Sequence, residues 1–161
     1  LPSFDEEGRL NYWTARRCDD DPDWRYLNAK VPKTQFVVGE LDLDWSAEEI
    51  VLVEGPTDLI KCSMLNATCL LGSTLAESSV LFRKLITYPE RIVLALDADA
   101  RKKQDKIAKL LMSYDKEVFW VEPPEEGYDW GDLEPQEVFE KMQVKHQYTS
   151  QSNLIRMIQD L

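Results

Sequence analysis

Ile50-Val51-Leu52-Val53-Glu54-Gly55-Pro56-Thr57-Asp58 is the stretch that decides the fold. Its apolar part is continuous rather than alternating, which is the pattern of a strand buried on both faces. It ends in an acid, and Pro56 then stands where a helix begins. A second run repeats the plan: Ile92-Val93-Leu94-Ala95-Leu96-Asp97-Ala98-Asp99. In open α/β sheets, ligands bind in the crevice at the carboxyl ends of parallel strands. Acids at those ends repel one another unless a cation neutralises them. Hard oxygen ligands of this kind suit Mg²⁺ or Mn²⁺.

Outward from these two runs, strands and helices alternate. A helix is predicted over 56–64, a strand over 67–71 ending at Gly72-Ser73, a helix over 76–88, a strand over 91–96, a helix over 100–114 and a strand over 117–121. Further helices are predicted over 134–142 and 153–161, after the breaker Pro123-Pro124-Glu125-Glu126-Gly127. This order implies βαβ units and a mainly parallel sheet. The first 45 residues have another texture. Asp5-Glu6-Glu7-Gly8 reads as a turn, 10–17 as a strand, and 24–27 and 35–38 as further short strands of a small antiparallel subdomain.

Composition narrows the class. The chain has 161 residues, 43% hydrophobic and 30% charged, which suits a globular domain with a sizeable core and a small appendage. No apolar stretch reaches membrane-spanning length, and no secretion signal opens the chain. Cys18, Cys62 and Cys69 lack metal-ligand spacing and make no disulfide framework, so a reducing, cytoplasmic setting is expected. The chain opens at Leu1 without Met and is expected to be a piece of something longer. A net charge of −11 makes it a poor generic binder of phosphate backbones. If it handles nucleic acid, metal ions and a local group of Arg and Lys must do the attracting.

The acids can carry chemistry if the two strands are neighbours. Glu54 and Asp97 then reach one edge of the sheet, with Asp99 two residues on. Asp58, on the first turn of the following helix, can turn back toward them. Phosphoryl-transfer enzymes use such clusters to hold two metals. Taken singly, a Glu-Gly turn or a D-x-D is ordinary solvated surface. The joint pattern is sharper: E-G-x-x-D after one buried strand, a Gly-Ser turn after the next, and D-x-D after a third. The remaining candidates read more plainly. Arg16-Arg17 and Lys102-Lys103 are candidate phosphate contacts, with plain solvated surface the favoured reading for the Lys pair. Ser3 and Ser73 serve turns, and His146 is a surface residue. Trp13, Trp45 and Trp120 are packing residues, while Trp24 and Trp130 fall in polar loops.

Val53-Glu54-Gly55-Pro56-Thr57-Asp58, Leu71-Gly72-Ser73 and Leu96-Asp97-Ala98-Asp99 together resemble the Toprim domain of bacterial-type primases, topoisomerases and some nucleases. Pro2-Ser3-Phe4-Asp5-Glu6-Glu7-Gly8-Arg9-Leu10, Ala15-Arg16, Arg25-Tyr26-Leu27-Asn28 and Pro32-Lys33 resemble the strand-rich subdomain before Toprim in DnaG-like primases, especially phage ones. Two departures stand out. Arg25 replaces the usual Lys before Tyr-Leu-Asn, and Ala100-Arg101-Lys102-Lys103 replaces the common A-G continuation of the D-x-D segment. Gly127-Tyr128-Asp129-Trp130-Gly131-Asp132-Leu133 loosely resembles the family's late K-D-P segment, with Asp129 as its acid.

The resemblance implies an α/β fold: a Toprim-type, mainly parallel sheet flanked by helices and preceded by a small strand-rich subdomain. It implies a division into 1–45 (primase subdomain), 46–125 (Toprim) and 126–161 (helical extension). It further implies a primase core that makes RNA primers on a single-stranded DNA template from ribonucleoside triphosphates, with a replicative helicase as partner. Glu54, Asp97 and Asp99 would be catalytic and, with Asp58, would hold Mg²⁺ or Mn²⁺. Arg16, Arg25, Tyr26, Asn28 and Lys33 would line the groove for template and nucleotides. The family's zinc-binding and helicase regions are not recognisable in the sequence, so zinc is not expected. A Toprim nuclease and a non-catalytic replication module are the alternatives. A topoisomerase is disfavoured, since no nucleophilic-tyrosine domain stands out.

Overall fold

The computed structural model describes residues 1–18, 26–125 and 128–149. Arg25, Trp24 and the helix expected over 153–161 lie outside the described residues. The first sheet is small and antiparallel: β1 (Pro2–Phe4), β2 (Leu10–Arg16) and β3 (Tyr26–Asn28), in that order. The turn between β1 and β2 is built by Asp5. Its carboxylate accepts the amides of Glu7 and Arg9 and pairs with the Arg9 guanidinium at 2.8 Å.

The second sheet has five strands: β4 (Glu49–Val53), β5 (Ala67–Cys69), β6 (Arg91–Ala95), β7 (Glu117–Val121) and β8 (Lys145–Gln147). Their order is β5-β4-β6-β7-β8, parallel except for β8, which runs antiparallel to β7. Four helices cover it: α1 (Pro56–Lys61), α2 (Val80–Thr87), α3 (Arg101–Met112) and α4 (Pro135–Lys141). Successive strand residues point to opposite faces. Ile50, Leu52, Ile92 and Leu94 therefore pack on Leu81 and Leu85 of α2 and Ile107 and Leu111 of α3. Val51, Val53, Val93 and Ala95 pack on the other side with Cys62, Val138, Met142 and Trp130. Both faces of the central strands are dry, as a continuous apolar run requires. Among the described residues no helix is long and apolar enough to cross a membrane.

Several boundaries differ from the sequence reading, each for a local reason. β5 stops at Cys69 because Leu71 (φ 53°) and Gly72 (φ 126°) leave the extended region. α2 begins at Val80, since Ser79 caps it by accepting the Phe82 amide at 3.1 Å. The strand expected over 35–38 is not one. That segment is irregular, with a bend at Gln35 and a turn at Val38, and is held by side chains from both sheets. Asn11 Nδ2 donates to the Val37 carbonyl at 2.9 Å, and Thr68 Oγ1 donates to the Val38 carbonyl at 2.7 Å. Ser3 Oγ accepts the Gly39 amide at 2.9 Å. The 126–161 segment, read as helical, also supplies β8 to the sheet. Trp130, placed in a polar loop by its neighbours in sequence, is fully buried. His146 is exposed and stacks on Trp120 with ring centroids 4.6 Å apart.

Thr68 is fully buried, and Val is nearly its isostere. Thr68→Val removes the hydrogen bond and leaves the Val38 carbonyl without this donor. It is expected to cost about 1–3 kcal/mol, read as a lower urea midpoint at unchanged slope.

Candidate metal centre

The register across the central strands sets the site. Val53 stands opposite Ala95 in the parallel β4–β6 pair, so Glu54 and Asp97 leave the sheet at one edge. Leu96 continues past β6, and its amide is held by the side chain of buried Gln104 on α3 at 3.2 Å. A short 3₁₀ turn, Ala98–Ala100, then swings Asp99 back beside Asp97. Oxygens of Glu54, Asp97 and Asp99 all lie within 4.8 Å of one another. Glu54 Oε2 and Asp97 Oδ1 are buried and have no hydrogen-bond partner. Buried carboxylate oxygens without donors are costly. A hard divalent cation fits this donor set, since it takes oxygen ligands and removes the mutual repulsion.

Asp58, expected to help hold the metal, sits just behind the three converging carboxylates. It is buried on α1. Its Oδ2 accepts the Gly55 amide at 2.8 Å, and the Gly131 amide also donates to its carboxylate. The turn Trp130–Asp132 packs against α1 here, anchored by buried Trp130. A Cβ at Gly131 would lie 3.0 Å from Asp129 Oδ1 and 3.4 Å from Asp58 Oδ1. Gly131 thus allows Asp129 to close on the same acidic pole.

The electrostatics follow from burial first and neighbours second. Burial pushes Asp97 up to about 7, reinforced by Asp58, Glu54, Asp129 and Asp99. Burial likewise raises Asp58 to about 6, with Asp129 and Glu54 adding to it and the Gly55 and Gly131 amides opposing it. Glu54 is raised by burial and by Asp99, and drawn back by Lys103.

Lys103, by sequence either solvated surface or a phosphate contact, meets the turn residue Ser73 at this edge. Lys103 Nζ donates to Ser73 Oγ at 2.8 Å. The available signal was proximity in sequence: Lys103 follows Asp99 by four residues, in the first turn of the helix that begins after the D-x-D segment. Lys33 Nζ lies 3.5 Å from both the Leu71 carbonyl and Thr74 Oγ1, on the same 71–74 turn. Of the other expected groove residues, Arg16, Tyr26 and Asn28 lie on the β2–β3 ribbon, and Arg25 lies outside the described residues. Arg16 pairs across from Tyr26 and sits 5.7 Å from its ring centroid, and Thr14 Oγ1 donates to Asn28 Oδ1 at 2.6 Å.

No protein-family model and no curated protein sequence matches this chain. Solved structures do. The zinc-binding and RNA polymerase domains of the Aquifex aeolicus primase align with 97% of this chain and 43% of that one, at 22% identity and a TM-score of 0.71. A DnaG primase catalytic domain bound to ssDNA aligns with 91% of this chain and 51% of that one, at 17% identity and a TM-score of 0.72. The RNA polymerase domain of the Mycobacterium tuberculosis primase DnaG aligns with 90% and 54%, at 20% identity and a TM-score of 0.68. An antiparallel three-stranded sheet followed by a mostly parallel, acid-tipped sheet is the class of α/β fold these primase domains share with this chain. Within that class the chain has the fold of the DnaG primase catalytic core. It spans about half the length of the primase chains it matches, between 43% and 54%.

The raised carboxylates give a pH signature in the metal-free chain. A group that holds its proton more tightly when folded stabilises the fold at low pH, and that contribution fades as pH rises to its folded pKa. For Asp97 the window runs from its ordinary 3.8 up to about 7. Asp97→Asn should therefore gain melting temperature over the parent progressively across that window in chelator. Mg²⁺ or Mn²⁺ should stabilise the parent more at about pH 8 than at about pH 5. Scanning calorimetry with and without metal checks both.

Proposed function

We propose that this chain is the RNA-polymerising part of a primase. It would make short RNA primers on single-stranded DNA from ribonucleoside triphosphates, using divalent cations held by Glu54, Asp97 and Asp99. The observation that carries the reading is the convergence of these carboxylates, with two buried oxygens lacking partners, at the carboxyl edge of a primase-type sheet. Single-stranded DNA as template is supported by the similar DnaG catalytic domain that is bound to it. A cytoplasmic setting and a replicative helicase partner belong to the same reading.

Nucleotidyl transfer joins a 3′-oxygen to an α-phosphorus and releases pyrophosphate. Mg²⁺ or Mn²⁺, when bound, supplies charge neutralisation and Lewis-acid activation of these phosphate oxygens. The chain's own contribution is positioning. Glu54 and Asp97 leave adjacent strands whose backbones are fixed by ladder hydrogen bonds, so their oxygens are set before any ligand arrives. Asp58 and Asp129 deepen the negative field behind them. Arg16, Arg25, Tyr26 and Asn28 would guide the template, and Lys33 the nucleotide.

Asp97→Ala and Glu54→Gln should each lower primer synthesis by about a hundredfold or more while leaving the fold intact. The assay is labelled ribonucleotide incorporation on single-stranded DNA with Mg²⁺ or Mn²⁺. Full synthesis by both variants would overturn the metal assignment. Metal-dependent cutting of labelled DNA or RNA without nucleotides would point to a nuclease instead. Absence of metal binding by calorimetry would point to an interaction module.

A further inference from the structure

We infer that Lys103, held beside the metal centre by Ser73, is a phosphate-binding residue for the triphosphate of the incoming nucleotide. This rests on the primase reading and adds to it a residue on α3, outside the N-terminal basic positions.

Lys103 lies in the first turn of α3, and its ammonium reaches the turn after β5. Ser73, its partner, is buried and therefore fixed. Lys33 approaches the same turn from the N-terminal side, and a Cβ on Gly72 would sit 3.6 Å from its Nζ. Two ammonium groups thus flank one turn. That turn is tied to the metal-bearing strand, since the Gly72 amide donates to the Glu54 carbonyl at 3.0 Å.

The chemistry of the partner matters. Ser73 offers Lys103 a neutral hydroxyl. A phosphate oxygen displaces a hydroxyl from an ammonium readily, because the charge-assisted bond is stronger. A carboxylate partner would compete instead. In a chain of net charge −11, an anionic substrate needs such local cations to enter beside an acidic pole. Beyond Ser73 opens a groove of about 350 Å³ lined by Thr74, Lys106 and the apolar Leu75, Ile107 and Leu110. Lys106 stands at this groove one helical turn beyond Lys103.

The test is binding of a non-hydrolysable ATP analogue with Mg²⁺, by calorimetry, to the full chain and its variants. Lys103 is exposed, so Lys103→Met should fold as the parent does. Lys103→Met should weaken triphosphate binding by about tenfold or more. The loss should shrink for AMP, and Lys103→Arg should recover most of the affinity. Mn²⁺ affinity, read by electron paramagnetic resonance without nucleotide, should stay the same or tighten. Ser73→Ala, which keeps the charge, should retain most triphosphate binding. If Lys103→Met binds the analogue as the parent does, the inference is overturned and the primase reading stands. The same holds if Lys103→Met only tightens Mn²⁺, the behaviour of a plain counter-ion, or weakens Mn²⁺ and nucleotide alike. If the parent binds no triphosphate, both fall together.

Discussion

Like charges gathered at one half-dry sheet edge are the constraint around which this chain is arranged. Glu54, Asp58 and Asp97 each lose water on folding and each lies in the field of the others. Two unit charges about 4 Å apart repel by about 4 kcal/mol at an effective dielectric of about 20. The fold answers in grades. Asp58 takes the Gly55 and Gly131 amides, and Glu54 has Lys103 nearby. Glu54 Oε2 and Asp97 Oδ1 are left with nothing. The acidic pole is thus relieved where it borders the helices and unrelieved where it faces the crevice. A cation bound there relieves the remainder, so affinity for metal and stability of the fold become linked quantities.

Such a concentration of charge persists only on a frame that cannot relax to disperse it. The central strands supply that frame because both their faces are buried. Ile50, Leu52, Ile92 and Leu94 are fully buried on one side, and Val53, Val93 and Ala95 on the other. Polar side chains can leave such a strand only at its ends, which is why the acids sit where they do. Packing on two faces also fixes the β4–β6 register. A one-residue slip would exchange every core side chain between faces and carry Glu54 out of level with Asp97.

The central strands and the acids at their tips were legible because burial on both faces leaves an uninterrupted apolar run. The strand 117–121 was read with its observed limits, and the carboxylates of Glu54, Asp97 and Asp99 do converge. What escaped was tertiary. β1 and β8 have three residues each and no period to detect. The 35–38 segment is apolar like a strand, but its carbonyls go to Asn11 and Thr68, residues distant in sequence. The pairing of Lys103 with Ser73 is tertiary, so the sequence left Lys103 between solvated surface and phosphate contact. Trp130 sits among polar neighbours, so its burial under the acidic pole comes only with the packing of 130–132 on α1. The amides of Gly55 and Gly131 on the Asp58 carboxylate also escaped, because they belong to backbone, which side-chain motifs do not encode.

The small N-terminal sheet is coupled to the acidic pole through one strap of chain. Tyr12 of β2 stacks on Phe36 with centroids 4.9 Å apart, and the Thr34 carbonyl accepts the first amide of α2, that of Val80, at 2.9 Å. Lys84 of α2 then bridges Glu40 at 2.5 Å and Glu6 of the β1–β2 turn. Those contacts bind the strap to both sheets at once. Lys33 rides on the strap, so its reach to the Leu71 carbonyl is set by the same contacts that orient β2 and β3. On the proposed function, a template and a nucleotide would have to be aligned against fixed carboxylates, and that alignment would need such coupling. A swing of the small sheet would carry Arg16 and Tyr26 away from the acids, and the strap resists it with apolar stacking, buried hydrogen bonds and an ion pair rather than with any one of them.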